Sequence, residues 1–191
     1  MKRFLLTVFI IFIIFTACGE KSNKQTITFP VLDKEETVFE IEPFEVSLEF
    51  PADWTLKRRD DYNDKLALFG VWSIMDIFNA NGELVGAIGY NVYEPYEGAE
   101  DLPAAIYNQI ALGNDYQFDV RESYKVVKET DSGVTATADV LYSASINGGE
   151  EKINKGIVSY NKNLLVYIAI EFASGLVTEE EINEIAKSIE F

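Results

Sequence analysis

Few side-chain types carry chemistry in proteins, and this chain of 191 residues is short of most of them: it has no histidine and one cysteine, Cys18. That composition leaves no internal disulfide, no Cys/His zinc site and no Ser-His or Cys-His pair. Carboxylates are abundant, with 32 Asp and Glu against 16 Lys and Arg for a net charge of −16. Nucleic acid is therefore not expected as a partner, because phosphate binding needs clustered cations. The densest acidic stretch, Asp60-Asp61-Tyr62-Asn63-Asp64, is spaced like the start of a calcium loop. It lacks the glycine after the third ligand and the closing glutamate. It reads as a solvated loop and a candidate contact surface, with a weak divalent-cation site as the alternative. Paired carboxylates can hydrolyse glycosides, but among so many acids the spacing selects no pair. Ser159-Tyr160-Asn161-Lys162 fits Ser-x-x-Lys, a pattern that works only when the serine opens a helix and the lysine returns one turn later. Here it straddles a strand end and a turn. Gly82, Gly86 and Gly89 do not have phosphate-loop spacing. No catalytic residue, metal or cofactor is expected. Trp54 and Trp72, with Tyr90, Tyr93, Tyr96 and Tyr107, either line a groove for a partner or ligand or plug and edge the core.

The elements that must position these residues are mostly strands. Val134, Ala136, Ala138, Val140 and Tyr142 alternate with Thr135, Thr137, Asp139, Leu141 and Ser143. That period places the first set on a buried face and the second toward solvent. Asn147-Gly148-Gly149 and Asn161-Lys162-Asn163 are turns, so Val134–Ile146, Lys152–Tyr160 and Leu164–Phe172 form a three-stranded meander. Further strands are expected over Phe44–Phe50, Leu66–Phe78, Glu83–Tyr93 and Phe118–Lys128, with a hairpin turn at Asn79–Gly82. Two helices are expected. One is capped by Asp101 and carries Leu102, Ile106 and Ile110 on one face. The other is opened by the capping box Thr178-Glu179-Glu180-Glu181 and carries Ile182, Ile185 and Ile189. After it, Glu190-Phe191 can add to a sheet edge.

At the N-terminus, Met1-Lys2-Arg3 is basic, Phe4–Phe15 is apolar apart from Thr7, and Thr16-Ala17-Cys18-Gly19 follows. This is the layout of an export signal. Phe4 to Ala17 reaches roughly 21 Å as a helix, short of a hydrocarbon core of about 30 Å. Phe15-Thr16-Ala17-Cys18 resembles the lipobox of bacterial lipoproteins, with Phe15 standing where an aliphatic residue is usual. The resemblance implies cleavage before Cys18 and lipidation of its thiol. An ordinary signal peptide or a short anchor is the alternative. Without residues 1–17 the net charge is −18. An anionic membrane repels such a domain, and a lipid on Cys18 would hold it there. Gly19–Thr28 is polar and reads as a flexible spacer, giving a signal peptide over 1–17, a linker over 18–36 and one globular domain over 37–191.

The segment Phe44–Lys57, FEVSLEFPADWTLK, with the closing run TEEEINEIAKSIEF, resembles PsbP/Mog1-like domains over about Thr37–Phe191. The resemblance implies an α+β fold in which an antiparallel sheet is flanked by helices as an α/β/α sandwich, and a family of binding and assembly modules. Metal sites in that family lean on histidines, so none is carried over. The expected function is a membrane-anchored, extracytoplasmic, non-catalytic binding or accessory module for a protein or envelope component. Cys18 is its lipid site, and Trp54, Trp72, Asp60, Asp61 and Asp64 are its candidate contacts. The alternative is a small-molecule or cation-binding lipoprotein that serves a transporter. A carboxylate-dependent hydrolase is the only enzymatic form the composition leaves open.

Overall fold

The computed structural model describes residues 22–29, 43–59, 73–93, 118–120, 125–142 and 152–191. Its strands are β1 (Ser22–Phe29), β2 (Phe44–Pro51), β3 (Thr55–Arg58), β4 (Ser73–Phe78), β5 (Leu84–Val92), β6 (Phe118–Val120), β7 (Lys125–Thr130), β8 (Gly133–Tyr142), β9 (Lys152–Asn161) and β10 (Val166–Phe172). One helix, α1 (Glu179–Ser188), follows. Eight strands form an antiparallel sheet in the order β3-β4-β5-β10-β9-β8-β6, with β7 also paired to β8. The expected meander is its centre, β8-β9-β10. Strands β1 and β2 form a separate antiparallel sheet, in register from Ser22↔Pro51 to Phe29↔Phe44.

This arrangement corrects the expected α/β/α sandwich. The described residues are mainly strand with a single helix, and the layer over the large sheet is built largely from β1 and β2. Ile27, Phe29, Phe44, Val46, Leu48 and Phe50 share one buried cluster with Ile88, Ile168 and Ile170 of the large sheet and Ile182 and Ile185 of α1. Strand β1 also corrects the expected linker over 18–36. Its burial alternates along Ser22–Phe29, and Ile27 and Phe29 are fully inside. A two-stranded ladder satisfies the backbone whatever the side chains are, so a mostly polar run can be a strand if its last inward positions are apolar. The expected helix beginning at Asp101 lies outside the described residues.

The helix forms as its sequence requires. Thr178 Oγ1 accepts from the Glu181 backbone N–H at 3.2 Å, and the Thr178 N–H donates to Glu181 Oε2 at 2.8 Å. Ile182, Ile185 and Ala186 face the core. At the other end Lys128 Nζ donates to the carbonyls of Ile189 (2.7 Å) and Lys187 (3.2 Å), a cation on the negative end of the helix. Glu190 then pairs with Ser47 of β2 through two 2.8 Å backbone bonds, as expected for an added edge.

The expectation that Thr135, Thr137 and Asp139 face solvent also needs correction, because α1 packs over β7, β8 and β9. Thr135 is buried and shares a 2.6 Å hydrogen bond with the buried Ser159. Asp139 pairs with Lys155, which reaches Glu179 of α1 at 3.1 Å. Ala136 and Ala138 on the opposite face are buried too. Two-residue alternation marks two faces, and here both are covered. Gly133 is dictated by close approach: a Cβ there would lie 1.9 Å from the Tyr160 carbonyl oxygen.

Candidate functional site

Of the residues singled out from sequence, Cys18, Trp72, Asp60, Asp61 and Asp64 lie outside the described residues, as do Tyr96 and Tyr107. Trp54 is 6% exposed, its ring 6.1 Å from Phe50 and 6.4 Å from Phe172. It plugs the end of the core beneath the Pro51 turn, where the Trp54 backbone N–H donates to the Pro51 carbonyl at 3.0 Å. Tyr90 packs edge-on to Phe29 and Phe44, and Tyr93 edge-on to Tyr160 and Tyr167. These three aromatics are buried and build the core. Ser159 is buried against Thr135, while Lys162 belongs to the turn after β9, where its N–H donates to the Ser132 carbonyl. The Ser-x-x-Lys spacing therefore brings no helical serine and lysine together.

A polar cluster that sequence reasoning missed sits in the large sheet. In β10 every residue is buried, Glu171 among them at 2% exposure. Asn154 of β9 donates its amide N–H to Glu171 Oε1, and its carbonyl accepts from the Ser174 N–H at 2.9 Å. Glu171 pairs across the sheet with Ala87, which pairs with Asp76. Asp76 Oδ1 in turn takes Arg59 Nε at 2.8 Å and Nη2 at 2.7 Å. Arg59, Asp76, Asn154 and Glu171 line a cavity of about 160 Å³ together with Gly86 and Ala87. The signal was present: a lone acid in VYIAIEF is out of place in a strand covered on both faces.

A second concavity, of about 530 Å³, opens between β2 and α1 and is lined by Glu49, Glu180, Glu181, Glu184, Lys187 and Ser188. Lys187 is held by Glu184 at 2.7 Å, so the lining is strongly negative. It adjoins Ser22, the first residue of β1.

Three titrations among the described residues are displaced, and each moves away from neutrality. Burial lowers the pKa of Lys155, but its hydrogen bonds and attraction to Asp139 and Glu179 outweigh that and hold it above its ordinary value. Burial pushes the Tyr167 phenol up, against the lowering effect of its hydrogen bond with Asn91. Lys24, at 3.1 Å, holds the Glu190 carboxyl below the usual range. Lys155 and Tyr167 thus stay protonated at neutral pH and neither is a base there. No set of three or more Asp, Glu, His or Cys side chains is grouped to hold a metal among the described residues. No helix among them is long and apolar enough to cross a membrane.

No family model matches the chain, and no curated protein matches it. A solved structure from Bacteroides thetaiotaomicron VPI-5482 is similar at 11% identity over 76% of this chain, with a TM-score of 0.38. The match takes in 44% of that structure's length. A likeness of this degree carries no argument about fold or function.

Proposed function

We propose that this chain is a lipid-tethered extracytoplasmic module that binds a protein or envelope component and performs no chemistry on it. The observation that carries this reading is the position of β1. The first described strand begins at Ser22, four residues after Cys18, so a lipid on that thiol would hold the domain directly at a bilayer surface. The single thiol, the absence of histidine, the fixed charges of Lys155 and Glu190 and the neutral, protonated Tyr167 phenol support binding over catalysis. The test has two parts. Cys18→Ser is expected to abolish labelling by a clickable palmitate, and crosslinking in intact cells is expected to capture a partner with wild type and to lose it with Cys18→Ser. Turnover of a glycan, ester or peptide by the purified protein, lost when one carboxylate becomes its amide, would overturn the reading.

The cavity at Glu171 favours a second reading, a small-molecule-binding lipoprotein, because a buried carboxylate, an amide and an Arg–Asp pair surround space for a small polar solute. Amino acids, polyamines and divalent cations are the probes. A ligand held at 100 times its Kd stabilises the fold by about 2.7 kcal/mol, which a melting experiment resolves. Absence of any shift across these probes favours the first reading.

A further inference from the structure

We infer that the domain meets the bilayer with one defined end, the end that carries Ser22, the Asn79–Gly82 turn, Leu84 and Leu176. The inference rests on the proposed lipidation of Cys18 and adds to it an orientation and a contact surface.

Only Gly19, Glu20 and Lys21 separate Cys18 from the first paired residue of β1. Four Cα steps span at most about 14 Å when fully extended. Ser22 is therefore leashed close to the headgroups however the tether bends. From Ser22 strand β1 runs away for seven residues to Phe29, roughly 23 Å at the rise of a strand.

A chain of contacts fixes what shares the Ser22 end. Ser22 pairs with Pro51, and the Pro51 carbonyl takes the Trp54 N–H. Trp54 packs on Phe172, the last residue of β10. The Ala173 N–H then donates to the Val85 carbonyl at 2.8 Å, and the Leu176 N–H to the Ala173 carbonyl at 3.3 Å. Leu84 begins β5 next to the Asn79–Gly82 turn, 50% exposed, and Leu176 is 45% exposed. Two apolar side chains thus project at the end the tether brings to the membrane, suited to sink into the headgroup boundary.

Among the described residues, the other exposed apolar side chains of the turns and the C-terminus lie at the other end. Phe191 stacks on Phe44, the partner of Phe29, and Leu164 and Leu165 belong to the turn between β9 and β10. The Asp131–Ser132 turn is there as well, bonded to Lys162. These groups stand beyond the tether's reach. The carboxylates Glu49, Glu180, Glu181 and Glu184 flank Ser22 and repel anionic lipid, so the surface that fits this end is a zwitterionic one.

The test uses the full-length lipoprotein extracted from membranes, with the acyl mass on Cys18 checked first. The protein is reconstituted in phosphatidylcholine vesicles that contain a headgroup-labelled acceptor lipid. A donor dye is attached through azidophenylalanine substituted at Asn81 or, separately, at Asp131, both exposed. Energy transfer several-fold greater from position 81 than from 131 is expected. Leu84→Asn combined with Leu176→Asn, shown by its melting curve to be folded, should lower transfer from position 81. Equal or reversed transfer on acylated protein would overturn the orientation and leave the lipoprotein reading standing. Unchanged transfer in the double variant would overturn the leucine contact. An unmodified Cys18 would overturn the lipoprotein reading and this inference with it.

Discussion

Phe29→Ala asks whether residues 22–29 belong to the folded body. The ring is fully buried, stacked 5.0 Å from Phe44 and edge-on 4.9 Å from Tyr90. Truncating a buried phenylalanine costs about 3–5 kcal/mol in lost transfer energy and cavity, and the two ring contacts, worth about 0.5–1.5 kcal/mol each, are largely contained in that figure. The expected loss is about 4 kcal/mol. With a urea slope near 2 kcal/mol/M the midpoint falls by about 2 M, and the melting temperature by roughly 8–16 °C for a domain of this size. Thr28→Ala is the control: Thr28 points outward in the same strand and its loss should stay within about 0.5 kcal/mol. Equilibrium urea unfolding followed by tryptophan fluorescence suits the measurement, because Trp54 is in the core. A midpoint shift below about 0.5 M for Phe29→Ala would return the segment to being a spacer, and the short leash from Cys18 would fall with it.

Three further substitutions test the large sheet. Asn154→Ala removes the donor to the buried Glu171 carboxylate and the acceptor of the Ser174 N–H; a loss of about 1–3 kcal/mol is expected in urea unfolding. Gly133→Ala drives a methyl into the Tyr160 carbonyl and should cost at least about 1–3 kcal/mol by overpacking, read as a lowered melting temperature. Lys155 has a raised pKa in the fold, so its stabilisation is complete below 10.5 and lost as pH rises through the folded value. The melting-temperature difference between wild type and Asp139→Asn should accordingly hold steady from neutral pH up to 10.5 and narrow above it.

Where a residue pattern answers only to its neighbours in the chain, it was readable. Thr178 to Glu181 announces a helix because the cap is made within four residues, and the β8–β10 meander follows from alternation and Asn/Gly turns. Where the deciding partner is distant, the pattern misled. Strand β1 passes for a spacer because Asn23 and Gln25 take its half-buried inward positions, and only β2 shows that Ile27 and Phe29 point the same way. Thr135 and Asp139 look solvated until α1, forty or more residues later, supplies a cover with Glu179 on it. Trp54 offered two readings, contact surface or core plug, and packing against Phe50 and Phe172 separates them. The Glu171 cluster needed four strands in register, β4, β5, β10 and β9, before its acids, amide and guanidinium met. Of the expected contact surface, only Trp54 falls among the described residues.

The stitching of β1 and β2 to residues after α1 has a kinetic meaning. The Lys24–Glu190 pair spans 166 positions and the bond from the Glu49 N–H to Ser188 Oγ spans 139. Contacts so remote in the chain close late, since their loop entropy is spent before any packing returns it. Until residues 179–190 are available, Val46 and Leu48 lack the isoleucines of α1, and Ser47 lacks its bonds to Glu190. During synthesis from the N-terminus the β1–β2 layer therefore lacks the cover and bonds that residues 179–190 supply. If the chain leaves the cytoplasm threaded through a pore, that delay keeps it unfolded enough to pass, and the second layer locks only once the last helix has emerged.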